Sequence, residues 1–233
     1  MTLDMEHRPS ASPYIERVWR ARSSEVDRMM AVASPRWALV FWVRAGRTSA
    51  AVVGPESHAS HVPVPEDAVF VGIDFTLGTA MPRLPVTGLL DRQVELPDTT
   101  SRSFRLDGSR WHIPTYDNAE AFVRRLARED VLGRDPLVAE VARGARSDVS
   151  SRTVQRRFVA ATGLTRDAVR QIDRARRATM LLQDGVPASQ VVERCGYYDQ
   201  PHLARSLRRY IGRSSSDLRT GRSAEPLSLL YKT

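Results

Sequence analysis

Residues 135–162 and 187–211 repeat one pattern: a short helix, a tight turn, then a capped second helix with basic and polar residues on its outer face. In the first copy Asp135 and Pro136 open a short helix over 135–144, as an N-cap followed by a first-turn proline. Ser150 caps the next helix. Val154, Phe158 and Ala161 recur at i, i+4 and i+7, and Gly163 stops it. In the second copy Pro187 opens 187–196. Asp199 then caps a helix whose Leu203, Leu207, Tyr210 and Ile211 face inward. Between the copies, 165–185 reads as one long helix with Ala168, Ile172, Ala175, Thr179 and Leu182 on its inner stripe and Gly185 as its stop. At ~1.5 Å per residue this connector spans roughly 28 Å. A repeat of this kind commits the C-terminal half to a helical bundle with two outward-facing helices a fixed distance apart.

Charge points to a class of partner only when divided by region. Of the formal +8, residues 1–133 carry 16 Arg against 17 Asp+Glu, a net of −1. Residues 134–233 carry 19 Lys+Arg against 10 Asp+Glu, a net of +9. The excess is arginine, since Lys232 is the sole lysine. A neutral half beside a basic half points to an anionic partner for one domain. The roughly 28 Å connector approaches one turn of B-DNA, about 34 Å, so double-stranded DNA is the expected partner.

The residues also carry a resemblance. The run Ser150, Arg152, Gln155, Arg156, Phe158, Thr162, Gly163 resembles the first motif of the AraC/XylS transcription regulators. The run Val191, Cys195, Gly196, Tyr197, Asp199, Gln200, His202, Leu203, Arg205, Leu207, Arg209, Tyr210, Ile211, Gly212 resembles their second. The resemblance covers about a hundred residues. It implies base contacts from Arg152, Gln155, Arg156, Gln200, His202 and Arg205, because Arg pairs bidentately with guanine and Gln with adenine. Arg157, Arg208 and Arg209 are expected on phosphate. Two departures stand out: the first turn reads ARSDVS, with Asp148 where the family has glycine, and Leu207 and Ile211 replace frequent phenylalanines.

The N-terminal half has a different texture. Apolar runs at 36–46 and 47–54 flank Ala45-Gly46 as a hairpin, and Val69, Val71, Ile73 and Phe75 alternate as a strand should. Tyr14–Arg22 adds another strand. The expected class is therefore α+β: a β-rich domain over 14–112, then an all-α tandem helix-turn-helix domain over 116–220. The resemblance implies a cupin-like half-barrel or sandwich for the β-rich part. Residues 1–13 are expected to be a disordered leader and 221–233 a flexible tail. Little contact is expected between the halves beyond their linker.

Trp37, Phe41, Trp42, Phe70 and Phe75 are candidates to line an apolar ligand pocket, with ordinary core as the alternative. Glu56, His58 and His61 lack the third histidine a cupin metal site needs, so no metal or other cofactor is expected. No catalytic triad, paired carboxylates or phosphate loop is present in the pattern, and the expectation is not an enzyme. A DNA-modifying enzyme with an AraC-like appendage would need a reactive cysteine, and Cys195 sits on a helix core position. The chain shows no apolar run long enough for a membrane span, and a cytoplasmic setting is expected. Further partners left open are a small-molecule effector, RNA polymerase and a second copy of the chain. The β-rich half could also serve as a protein-interaction module without small ligand.

Overall fold

Antiparallel strands with one apolar face organise the first half. A computed structural model describes residues 2–146, 148–221 and 225–228. In chain order the strands are β1 (Thr2–Pro9), β2 (Ile15–Ser24), β3 (Arg28–Ala31), β4 (Ala38–Arg44), β5 (Arg47–Val53), β6 (Ser60–Pro63), β7 (Val69–Phe75), β8 (Thr79–Ala80), β9 (Gln93–Glu95), β10 (Ser103–Leu106), β11 (Ser109–His112) and β12 (Gly133–Arg134). The helices are α1 (Ala119–Arg128), α2 (Pro136–Ala142), α3 (Ser151–Thr162), α4 (Arg166–Gln183), α5 (Ala188–Cys195), α6 (Gln200–Tyr210) and α7 (Ser215–Thr220).

Six strands form an open antiparallel sheet in the order β1-β2-β7-β4-β5-β9. Three short ribbons accompany it: β10–β11, β12–β8 and β3–β6. The β4–β5 hairpin turns at Ala45 and Gly46, both with positive φ (47° and 75°), the requirement of a type I′ turn that matches strand twist. One sheet face is apolar. Val18, Leu39, Phe41, Ala50, Val52, Ile73 and Phe75 pack there with Phe104 and Trp111 of the β10–β11 ribbon and Ala119, Val123 and Leu126 of α1. The expected half-barrel or sandwich is thus an open sheet backed by a helix and a ribbon.

Of the expected disordered leader, residue 1 lies outside the described residues and residues 2–13 depart from the expectation. Thr2–Pro9 pairs along its whole length with β2, from Thr2↔Ser24 to Pro9↔Arg17. Arg8 forks onto the Glu120 carboxylate of α1 and donates to the Tyr116 carbonyl at 2.7 Å. A polar sequence becomes a strand here because β2 offers an open edge and α1 supplies a countercharge.

The helical half follows the expected caps. Asp135 accepts from the Val138 N–H at 3.1 Å, Ser150 from Thr153 at 3.3 Å, and Asp199 from His202 at 2.7 Å. Gly163 and Gly196 end α3 and α5 in the left-handed region. α7, closed by a Ser214–Asp217 capping box, was not distinguished in the sequence.

The expected near-independence of the halves does not hold. Val32 and Ala33 belong to the helical core. The Ala33 N–H donates to the Tyr210 carbonyl at 2.8 Å, and the Ala59 N–H donates to the Arg209 carbonyl at 2.8 Å. α3 rests on a 3-10 turn at Val86–Leu89. Gly133 and Arg134, inside the stretch expected to be all helical, form β12 and pair with β8. The physical reason is that helix C-termini leave carbonyls without intrahelical donors, and the β half supplies two of them to α6.

The expected flexible tail also differs within its described part. Met30 N–H donates to the Pro226 carbonyl at 2.9 Å, Ser228 N–H to the Met30 carbonyl at 2.8 Å, and Val32 N–H to Ser228 Oγ at 2.9 Å. Residues 225–228 therefore extend the free side of β3. Residues 222–224 and 229–233 lie outside the described residues.

Candidate nucleic-acid interface

Each outward helix is held from behind by apolar side chains. α3 buries Val154, Phe158 and Ala161. α6 buries Leu203, Leu207 and Tyr210, with Ile211 just after it. Leu207 and Ile211 are completely buried, so the replacement of family phenylalanines leaves these core positions filled. What remains outside is the polar face. On α3, Arg152, Gln155 and Arg156 are exposed; on α6, Gln200, Arg205 and Arg208 are exposed. Among the described residues none of these six side chains makes a hydrogen bond or ion pair. The bridge between them, α4, has 18 residues and a length of about 27 Å.

Three expected contact residues are already engaged. Arg157 bonds both carboxylate oxygens of Asp135, each at 2.8 Å, tying α3 to the start of α2. His202 is partly buried. Its Nδ1 accepts from the Tyr198 N–H at 3.3 Å, and its ring meets the edge of Tyr197, with centroids 5.1 Å apart. Only its Nε2 edge is left for an outside partner. Arg209 is exposed and lies over the Tyr210 ring at 5.3 Å.

In the first turn Gly144, which follows the C-cap Arg143 of α2, has φ +89° and so supplies a left-handed residue. Ser147 lies outside the described residues.

A helix-turn-helix domain family model of the AraC type matches residues 144–221. Residues 144–221 are a helix-turn-helix domain of the AraC type, which supports a DNA-binding transcription regulator. The matched span of this AraC-type domain runs from the first turn through α7 and contains both outward helices. No curated protein and no solved structure shows significant similarity to the chain. Among the described residues no helix is long and apolar enough to cross a membrane.

Two features of the AraC-type domain were missed in the sequence. Arg176 lies four residues after Ile172, so its place on the inner stripe was readable, but burial of its charge was not. It is buried and its Nη1 donates to the Ala33 carbonyl at 2.9 Å. Around it lie Arg36, 3.9 Å from Asp173 and 3.1 Å from Glu16, and the buried Arg17–Asp74 pair. Burial pulls both Arg17 and Arg176 down to about 10, and they stay charged at neutral pH. Burial also pushes Glu56 up to about 7, against the attraction of Arg176. The other missed feature is Tyr198, whose side chain is 90% exposed.

The pocket candidates fall on two faces of the sheet. Trp37, Phe41 and Phe75 are core: Trp37 stacks on Phe75 at 3.9 Å and donates its Nε1–H to the Thr79 carbonyl at 2.7 Å. Phe41 meets Phe104 edge-on at 5.1 Å. Trp42 and Phe70 stack on the opposite face at 6.5 Å. The alternation that puts Phe41 inward puts Trp42 outward, so the five do not line one cavity. A cleft of about 480 Å³ lies elsewhere, between Ala11–Tyr14 and α1. His58 and His61 also part company: His58 Nδ1 lies 3.0 Å from Ser57 Oγ, and His61 Nδ1 lies 2.8 Å from Glu225. Cys195 is buried.

Proposed function

We propose that the chain binds promoter DNA with α3 and α6 in successive major grooves. Arg152, Gln155, Arg156, Gln200 and Arg205 read bases, and Arg208 and Arg209 contact phosphate. The observation that carries this reading is the pair of capped helices whose outward Arg152, Gln155, Arg156, Gln200, Arg205 and Arg208 side chains have no partner among the described residues, joined through α4, about 27 Å long. His202 contributes through Nε2 alone, and Arg157 contributes while bridged to Asp135.

The β sheet, with α1 packed on it, acts as the regulatory half and the helical half, α2 to α7, as the DNA-binding half. The β half touches the helical half at the C-terminus of α6, at α4 through Arg176 and Asp173, and at α3 through Val86–Leu89. A signal that moves the β half shifts the relative placement of the two reading helices, a population shift between arrangements. That signal is an effector or a second copy of the chain, and RNA polymerase is a further partner.

A second reading makes the β half a protein-interaction module without small ligand. It is favoured by the filled core, where the indole donors of Trp37 and Trp111 both end on backbone carbonyls, and by the Trp42–Phe70 stack on the opposite face.

The test uses duplexes selected from a random library by the full chain. Arg205→Ala and Arg156→Ala each cost about 1–3 kcal/mol on the selected duplex and much less on a scrambled one. Arg209→Ala weakens both alike and lowers the log–log salt slope by about one. Equal losses on both duplexes for Arg205→Ala would refute base reading by that residue.

A further inference from the structure

Tyr198 has no task in the fold. Its side chain is 90% exposed, while neighbouring Tyr197 is 6% exposed. Among the described residues the Tyr198 side chain makes no hydrogen bond or ring contact. Isolated exposed hydrophobic residues are common, so exposure alone decides nothing. Position decides. Tyr198 immediately precedes the N-cap Asp199, in the turn between α5 and α6.

The turn that carries it is fastened on every side. Arg177 donates to the Arg194 carbonyl at 2.9 Å and Arg174 to the Gly196 carbonyl at 3.2 Å. Tyr197 Oη lies 3.0 Å from Ser206 Oγ, and Arg174 lies over the Tyr197 ring at 4.7 Å. The Tyr198 N–H itself is held by His202 Nδ1. The backbone is fixed and only the phenol is left uncommitted. A tyrosine has two side-chain torsions, so ordering it on a partner costs little entropy.

In a helix-turn-helix the first helix crosses the nucleic-acid backbone and the second enters the major groove. The turn between them therefore stands at the lip of the groove, where deoxyribose and phosphate are the nearest groups. The guanidinium groups of Arg174 and Arg177 at this turn make its field positive. We propose that Tyr198 is a DNA-backbone contact: its O–H donates to a phosphate oxygen at the groove lip and its ring lies against the adjoining deoxyribose. The assignment rests on α6 being a groove-reading helix.

Fluorescence anisotropy on a selected duplex and a scrambled duplex, at several salt concentrations, tests it. Tyr198→Ala lowers affinity for both by a similar factor, about tenfold. Tyr198→Phe, which keeps the ring, loses only part of this. The log–log salt slope is unchanged, because a neutral side chain displaces no counterion. The thermal midpoint stays within a degree or two of the parent. Arg205→Ala, measured alongside, reports on the underlying reading. If the parent chain selects no sequence and Arg205→Ala has no effect, the groove-reading assignment fails and Tyr198 fails with it. If Arg205→Ala weakens binding and Tyr198→Ala does not, the Tyr198 assignment alone is refuted. Loss confined to the selected duplex would make Tyr198 a base reader, and a lowered thermal midpoint would make it structural; both overturn the proposal.

Discussion

Glu56→Gln should stabilise the protein above neutral pH. Glu56 sits where the β half meets the helical half: its backbone pairs with Ser34 in both directions, at 2.8 and 2.9 Å. Burial pushes its carboxyl from 4.5 up to about 7. Asp91 and Asp74 add to the shift, and Arg176 opposes it. A folded-state value above the unfolded one means that the folded protein holds the proton more tightly. The associated stability is complete below about pH 4.5 and is lost as pH rises through about 7. At ~1.4 kcal/mol per pH unit the full difference would be about 3 kcal/mol. The residue keeps part of its surface in water, which screens the charge and lowers the expectation to about 2 kcal/mol. Glutamine keeps the shape and removes the charge. Urea unfolding of parent and variant from pH 5 to 8.5 therefore gives nearly equal midpoints at pH 5 and a widening gap in favour of Glu56→Gln toward pH 8. Parallel pH profiles, or a variant less stable at pH 8, would refute the reasoning and show that the Glu56 charge is fully compensated by Arg176.

Two further outcomes follow from local geometry. Asp135→Ala removes both the cap of α2 and the Arg157 bridge to α3, and should cost about 1–2 kcal/mol in urea unfolding, mostly through the cap. Gly72→Ala places a Cβ 2.0 Å from Cε2 of Trp19, so the ring must move; a loss of about 1–3 kcal/mol, with altered tryptophan fluorescence, is expected.

What the sequence determined by itself is the helical half and its outward polar face. Caps, stops and the i, i+4 spacing are local signals, and Asp135, Ser150, Asp199, Gly163 and Gly196 each do in the fold what their type and position implied. The alternation of Val69 to Phe75 likewise located β7. The tertiary structure decided what depends on partners distant in the chain. Thr2–Pro9 is a strand because β2 leaves an edge for it, and 225–228 are ordered by β3, almost two hundred residues away. Trp37 and Trp42 look alike in the sequence, but the pleat sends one into the core and the other to the opposite face. Arg176 falls on the inner stripe of α4 by its spacing, but that its charge is buried against the Ala33 carbonyl depends on the tertiary fold. Tyr198 and Tyr197 are adjacent and identical in type, and only the packing of α5 against α6 buries one and leaves the other in solvent. Local propensity acts over a few residues, whereas burial is a property of the whole chain brought together.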